Sequence, residues 1–139
     1  MYKHILKPIL FRFNPETAHN ILFSLLSFLR YIPFAQSVIR AIYQKDSPSL
    51  EKEVFGITFP NPVGLAGGLD KNGEYYNDMA NFGFGFVEIG SLTPKPQDGN
   101  PKPRCWRVPG DKALINRFGI NNKGVKNAVE HLKKVRPEV

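Results

Sequence analysis

Three short segments of the chain place glycine beside polar side chains that could hold an anionic or heterocyclic ligand. In residues 67–71, Gly67 and Gly68 let backbone N–H groups approach a ligand closely, and Lys71 adds a positive charge. The GxxxxGK[ST] spacing of a P-loop is absent. The residues alone leave two interpretations open, a ligand-binding loop and a tight turn with a solvent-facing lysine.

The other two segments are rich in hydroxyl and amide groups. Residues 88–94 include Ser91, whose hydroxyl could bond to a cofactor or cap a turn. Residues 116–122 carry three asparagines around Gly119, and their amides offer the donors and acceptors that suit a ring with carboxylate and imide groups. An asparagine-rich loop that caps the following helix is the alternative for this segment.

The composition of the 139 residues restricts the kinds of site that the chain can form. The single cysteine, Cys105, excludes an internal disulfide framework and a cysteine-rich zinc site, and we interpret it as a strand residue. The histidines His4, His19 and His131 show no metal-ligand spacing, so no metal site is predicted. The net charge of +7 favours an anionic partner. Nucleic acid is not predicted, because no basic stretch is interleaved with exposed aromatic residues.

Residues 1–46 are predicted to be helical and hold six basic against two acidic residues. The Asn-Pro-Glu sequence at residues 14–16 is typical of a helix start, and apolar residues then recur at helical spacing as far as Pro33. The strongest apolar run, residues 21–32, is shorter than the roughly 20 residues that cross a bilayer. Composition leaves open whether these helices pack on their own domain, lie in a membrane interface or include a secretory signal.

After a polar linker at residues 46–52, the hydrophobic pattern changes from that of helices to that of strands. Two short apolar strands flank a predicted helix, which indicates the parallel strands of a βα series. The predicted elements are a hairpin at 54–59, strands at 63–66 and 84–89, a helix at 73–82, a hairpin of 105–108 with 113–115, and a final helix at 122–136. We expect Lys71 and Asn116 to lie on one rim, at the C-terminal ends of the strands.

Large apolar side chains are predicted to form the core of this part of the chain. They include Trp106 and the phenylalanines, together with one face of the last helix that carries Val125, Val129 and Leu132.

Five segments together resemble the membrane-associated (class 2) dihydroorotate dehydrogenases. They are NPETAH at 14–19, FPNPVGLAGGLDKNGE at 59–74, GFGFVEIGSLTPKPQ at 83–97, GNPKPR at 99–104 and LINRFGINN at 114–122. The resemblance covers nearly the whole chain in the right order, and it corresponds to the N-terminal portion of the family.

The resemblance implies an α/β protein, with an N-terminal helical domain at residues 1–46 followed by the first part of an FMN-binding (β/α)8 TIM barrel at residues 53–139. It implies oxidation of dihydroorotate to orotate in pyrimidine biosynthesis, with FMN taking the hydride and a membrane quinone reoxidising the flavin. The helical domain would lie on an anionic membrane surface and shape the quinone tunnel. The implied location is peripheral, on the cytoplasmic face of a bacterial inner membrane.

The resemblance also implies roles for individual residues. The residues implied to bind FMN are Gly67, Gly68, Leu69, Asp70, Lys71 and Ser91. The residues implied to bind dihydroorotate or orotate are Lys71, Asn116, Arg117, Phe118, Gly119 and Ile120. His19 and Arg107 match positions near the quinone tunnel. Ile120 stands where the family has phenylalanine.

The general base of the family is a serine that we expect beyond residue 139, so no catalytic base is named here. A (β/α)8 barrel needs about 250 residues, so we expect residues 53–139 to supply only its first part and the 139 residues alone to be inactive. The alternative function is a non-catalytic, basic module that binds membrane surfaces.

Overall fold

The computed structural model describes residues 2–45 and 47–134, and it begins with helices. A π-helical turn, Tyr2–Leu6, leads into α1 (Lys7–Leu10), α2 (Pro15–Leu29) and α3 (Ala35–Tyr43). The predicted start of α2 is confirmed, because the side-chain oxygen of Asn14 accepts a hydrogen bond of 3.0 Å from the backbone N–H of Glu16. The helix ends before Pro33, and turns connect it to α3.

A hairpin follows a short 3₁₀ turn at Pro48–Leu50. Strands β1 (Lys52–Val54) and β2 (Ile57–Phe59) pair antiparallel, as the sequence predicts. Phe55 and Gly56 join them, with φ angles of 54° and 75°. Two successive positive φ angles are typical of the primed turns whose twist matches that of the strands.

The predicted parallel unit is confirmed, although its elements are short. Strands β3 (Gly64–Leu65) and β4 (Phe86–Val87) pair in parallel, and α4 (Tyr76–Ala80) lies between them in the chain. A Cβ at Gly64 would lie 2.1 Å from the Phe86 ring, so the strand pair requires glycine there. The helix begins later than predicted because Gly73, with φ of 67°, interrupts the helical conformation.

The last part of the described chain contains the second predicted hairpin and one helix. Strands β5 (Cys105–Val108) and β6 (Ala113–Asn116) pair antiparallel, and α5 spans Val125–Lys134. Helix α5 begins after the predicted residue 122, because Gly124 adopts a φ of 83°. The predicted end of this helix at residue 136 lies outside the described residues.

The core formed by the described residues is small, and the prediction that Trp106 and the phenylalanines form it is wrong for Trp106 and most phenylalanines, although Phe23 is buried. The buried apolar residues are Ala18, Phe23, Tyr76, Met79, Ala80, Cys105 and Ala128. Phe55 is 99% exposed, and Trp106 is also exposed. On α5 the predicted inward face is exposed, and Ala128 is the fully buried residue. Three separate two-stranded sheets offer little surface against which large side chains could pack.

Two arginines of the helical segment bind side chains of α4 and its C-terminus. Arg30 Nε donates to Asp78 Oδ1 at 2.6 Å, and Arg40 donates to Asn81 Oδ1 at 2.8 and 3.1 Å. These two charges therefore hold α2 and α3 on the rest of the chain. Among the described residues, no helix has the length and apolar character that crossing a membrane requires.

Candidate functional site

A cavity of about 520 Å³ lies between α2 and the loops that follow β3 and β6. Helix α2 contributes His19 and Phe23, and β6 contributes Leu114. The loop residues Gly68, Lys71, Phe118 and Asn121 also line it. Both the helix and the loops contribute apolar and polar residues to the lining, so the cavity is mixed in character. We call it the helix-side cavity.

A second pocket, of about 400 Å³, lies on the other side of Lys71. Its lining residues are Gly68, Lys71, Ser91, Asn116, Phe118, Gly119, Ile120 and Asn121. Three segments that are far apart in the sequence therefore meet here, and the expectation that Lys71 and Asn116 share one rim is confirmed. Four predicted site residues, Gly67, Leu69, Asp70 and Arg117, do not line this pocket. We call it the loop pocket.

Lys71 lines both spaces and carries a charge with a defined position. Its Nζ donates to Asn121 Oδ1 at 2.8 Å and lies 3.8 Å from the centroid of the Phe118 ring. Burial, and then the positive charge of Arg104, lowers the pKa of Lys71 below its ordinary value. In the part of the chain that the structure describes, no carboxylate forms an ion pair with Lys71. The ammonium group can therefore attract an anionic ligand.

Asp70 fixes the loop that presents Lys71. Asp70 is 1% exposed, and its carboxylate accepts hydrogen bonds from the backbone N–H groups of Glu74 and Tyr75, at 3.0 and 2.8 Å. The backbone N–H of Gly68 donates to Gly90 at 2.6 Å, which ties this loop to the end of β4. The carboxylate of Asp70 is thus used inside the loop, and its carbonyl accepts a 3.0 Å hydrogen bond from the backbone N–H of Gly90, so Asp70 supports the loop from behind the pocket.

Replacing Asp70 with alanine is expected to destabilise the protein, because two backbone N–H groups lose their acceptor. The expected loss is about 1–3 kcal/mol in the free energy of unfolding. Chemical denaturation of the full protein measures it. Asp70→Asn keeps one carbonyl acceptor and serves as the matched control with a smaller loss. Equal stability of Asp70→Ala and the unmodified protein would contradict this role.

The loop at residues 116–121 is held by side chains that sequence reasoning did not single out. Gln97 Nε2 donates to the carbonyls of Gly119 and Ile120, both at 3.0 Å, and Asn100 Nδ2 donates to the carbonyl of Arg117 at 2.7 Å. Gly119 and Ile120 have φ angles of 72° and 53°. A β-branched residue is strained in this region, so these hydrogen bonds hold Ile120 in a conformation that it would otherwise avoid.

The two residues predicted for the quinone tunnel lie in different surroundings. His19 lines the helix-side cavity, with its ring centroid 4.4 Å from that of Phe23. Burial, and then the charge of Lys71, lowers the pKa of His19, which favours the neutral imidazole at pH 7. Arg107 does not line this cavity. It donates to the carbonyls of Phe13 and Leu10, at 2.7 and 3.4 Å.

An ion pair between the helical segment and β5 was missed by sequence reasoning. Arg104 donates from Nη2 to Glu16 Oε1 at 2.7 Å and from Nε to Glu16 Oε2 at 3.2 Å. It also donates to the carbonyls of Asp98 and Asn100, at 2.6 and 3.1 Å. Hydrogen bonding to Arg104 lowers the pKa of Glu16 below its ordinary value. The only sequence signal was a basic residue at the end of a Pro-rich loop, which does not identify its partner.

Most residues that line the two cavities lie in a part of the chain that a known family shares. The family model described as dihydroorotate dehydrogenase matches residues 49–139.

The chain belongs to the dihydroorotate dehydrogenase family.

Curated relatives extend the similarity to the helical segment of this chain. The dihydroorotate dehydrogenase (quinone) of Christiangramia forsetii is 48% identical over 133 residues, which are 96% of this chain and 39% of the relative. The protein of the same name from Cellvibrio japonicus is 48% identical over 136 residues, 98% of this chain and 38% of the relative. The chain therefore spans less than two fifths of the length of the curated relatives that it matches.

Solved structures agree with the fold. The DHODH of Eimeria tenella, crystallised in complex with ferulenol, superposes with a TM-score of 0.72 at 43% identity. The alignment covers 87% of this chain and 30% of that chain. The ligand-free form of the Eimeria tenella protein gives a TM-score of 0.73. These similarities support an α/β fold for the described elements.

Proposed function

We propose that this chain contributes flavin, substrate and quinone contacts to a dihydroorotate dehydrogenase (quinone). The observation that carries the proposal is the loop pocket, in which the Lys71 ammonium group, a serine hydroxyl and asparagine amides surround one space, and in which Lys71 has no carboxylate partner among the described residues. An ammonium group can bind the carboxylate of a pyrimidine substrate, and hydroxyl and amide groups can form hydrogen bonds with the polar edge of a flavin ring. The family membership and the names of the curated relatives support the same activity.

The residues present fit FMN as the proposed cofactor. Gly68 has a φ of 98°, and a Cβ built there meets nothing within 4 Å, so its backbone borders open space on the pocket side. Gly68 would present backbone to the flavin ring, Gly67 would keep the turn close against Glu88, and Ser91 would offer its hydroxyl. Bound FMN supplies the hydride acceptor. We expect residues 53–139 to form the first part of a (β/α)8 barrel around it.

Lys71 and the asparagines would provide binding and electrostatic stabilisation. The Lys71 ammonium would hold the substrate carboxylate or the edge of the flavin that gains negative charge during reduction. Asn116 would match the imide groups of dihydroorotate, and Asn121 would keep Lys71 in place through the hydrogen bond already described. The backbone of residues 117–120 would complete the substrate contact.

We place the quinone in the helix-side cavity. Its apolar lining by Phe23 and Leu114 suits a quinone ring, and the neutral imidazole of His19 can donate a hydrogen bond to a quinone oxygen. Arg107 would act indirectly, by holding the residues after α1. The protein would be peripheral to a membrane, and we propose the cytoplasmic face of a bacterial inner membrane.

The helical segment is expected to bind anionic vesicles through exposed apolar residues, with a contribution from charge. Phe28 and Ile42 are 59% and 60% exposed, whereas the exposed Arg30 and Arg40 use their guanidinium groups to bind Asp78 and Asn81. Salt screens surface charges over about 8–10 Å but does not weaken apolar contacts in the same way. We therefore expect salt to weaken vesicle binding only in part. Co-sedimentation of the full protein with anionic vesicles at low and high salt measures this.

The matched variants for vesicle binding are Phe28→Ser and Phe55→Ser. Phe28→Ser should weaken vesicle binding about tenfold, because a tenfold change corresponds to burying roughly half of an aromatic side chain in the membrane. Phe55 is more exposed but lies at the β1–β2 turn, so its loss should leave binding unchanged. Equal effects of both variants, or no binding at low salt, would contradict membrane docking through the helices.

The proposed activity is tested with the protein expressed from the gene that carries this sequence. Purified protein should show the yellow absorbance of FMN and form orotate from dihydroorotate with a soluble quinone. A hybrid in which these 139 residues replace the aligned part of the Christiangramia forsetii relative gives a second test. Vesicle binding without flavin or turnover in both proteins would favour the non-catalytic membrane module.

A further inference from the structure

A chain of contacts runs from the first turn of α2 to Lys71. Glu16 pairs with Arg104, whose side chain is 8% exposed. Arg104 lies 5.4 Å from the Phe118 ring centroid, and the other cation near this ring is Lys71 at 3.8 Å. Arg104 also accepts, at its carbonyl, a 2.9 Å hydrogen bond from the backbone N–H of Arg117. The helix and the loop pocket are therefore connected through buried groups.

We propose that Glu16 and Arg104 are positioning residues for Lys71, so that the seating of α2 on β5 controls the ammonium group at the loop pocket. The carboxylate of Glu16 fixes the guanidinium of Arg104, which in turn fixes Phe118 and the backbone of the loop at Arg117. Phe118 and Asn121 then hold Nζ of Lys71. The importance of these contacts for substrate binding rests on the proposed function, but the contacts are present in the structure whatever the function is.

The charges near Lys71 predict in which direction a change at Glu16 will shift the pKa of Lys71. Glu16 raises the pKa of Lys71, whereas Arg104 and burial lower it. If Glu16 loses its charge, Arg104 is left uncompensated beside Lys71, and more of the amine is neutral at a given pH. The other ionisable groups that face Lys71 or line the helix-side cavity are His19, Asp70, Glu74, Tyr75, Cys105 and Lys123.

The reactivity of Lys71 toward acetic anhydride measures its neutral fraction without requiring enzyme activity. In the full protein purified with FMN, Glu16→Gln should acetylate at Lys71 about threefold to tenfold faster at pH 8, since one pKa unit is a tenfold change in neutral amine. Mass spectrometry of the Lys71 peptide over a pH series should show the profile shifted to lower pH. Glu16→Asp, which keeps the charge, should largely restore the original profile.

Arg30→Gln is the matched control, because Arg30 also anchors α2 but reaches Asp78 and the carbonyl of Glu74 instead of the Lys71 loop. It should loosen the helix without shifting the Lys71 profile. Equal shifts in Glu16→Gln and Arg30→Gln, or no shift in either, would overturn the proposal. Should Glu16→Gln not fold, Arg104→Lys provides the test. Its single ammonium cannot bond Glu16 and both carbonyls together, and Lys71 should again acetylate faster.

Orotate formation is the second readout and separates this inference from the proposed function. Glu16→Gln should raise the KM for dihydroorotate more than it lowers kcat, because Lys71 would bind the carboxylate in the ground state as well. If the acetylation pattern is as expected but the protein has no dehydrogenase activity, the proposed function is refuted and the positioning role of Glu16 and Arg104 stands. Normal turnover with an unchanged Lys71 profile in Glu16→Gln would refute the inference and keep the function.

Discussion

Replacing Lys71 with methionine is expected to lower kcat/KM for dihydroorotate oxidation by roughly 10²–10³-fold, the cost typical of removing one preorganised group that stabilises developing charge. Lys71 lies between the two cavities, and its ammonium is positioned by Asn121 and Phe118. Methionine has similar length and no charge, so packing over Phe118 is largely kept. Steady-state orotate formation by the full protein is the measurement.

The control for this substitution is Lys112→Gln. Lys112 is an exposed lysine in the turn between β5 and β6, and it lines neither cavity. Its replacement should leave kcat/KM unchanged. A Lys71→Met protein that binds FMN and retains full activity would show that the charge has no role in catalysis or substrate binding.

Replacing Arg104 with methionine is expected to destabilise the full protein by roughly 3–5 kcal/mol, the range measured when one partner of a buried ion pair is removed. The substitution leaves Glu16 without its main partner and removes the donor to the carbonyls of Asp98 and Asn100. Lys102→Met is the matched control. Lys102 lies 3.4 Å from Glu16 but is 66% exposed, so its loss should cost less than about 1 kcal/mol.

The pH dependence of stability gives an independent check on the Glu16–Arg104 pair. Because Arg104 lowers the pKa of Glu16 below 4.5, the pair stabilises the folded protein fully above that pH. This contribution is lost as the pH falls through the lower pKa of the folded state. Denaturation at a series of pH values should show this acid-dependent loss in the unmodified protein and a smaller one in Arg104→Met. Identical pH profiles would contradict the pairing.

The local elements of this fold were predictable because each is encoded by neighbouring residues. Asn14 and Pro15 begin α2 through a hydrogen bond that spans two residues, and Phe55 and Gly56 form the β1–β2 turn by their own backbone conformations. The shorter extents of α4 and α5 also have local causes, at Gly73 and Gly124. These two glycines were present in the sequence but were not used to limit the helices.

The loop pocket was predicted in part. Glycine, lysine and asparagine after predicted strands indicated that Lys71 and Asn116 would share a rim. The structure brings the two residues together, although β6 pairs antiparallel with β5 and does not join the sheet of β3. The supporting groups were not predictable in the same way. Gln97 reaches carbonyls at residues 119 and 120, and no local pattern in the sequence indicates where a side-chain amide of a loop will point.

The sequence by itself determined the family, the order of the helices and strands, and the residue types available to the site. Only the tertiary structure decided how those residues are used. Glu16 and Arg104 are 88 residues apart in the chain, so their pairing depends on the path of everything between them. The same is true of Arg30, which pairs with Asp78 across 48 residues of sequence. Local signals act over a few residues, whereas the electrostatics of Lys71 arise from charges that only the folded chain brings together.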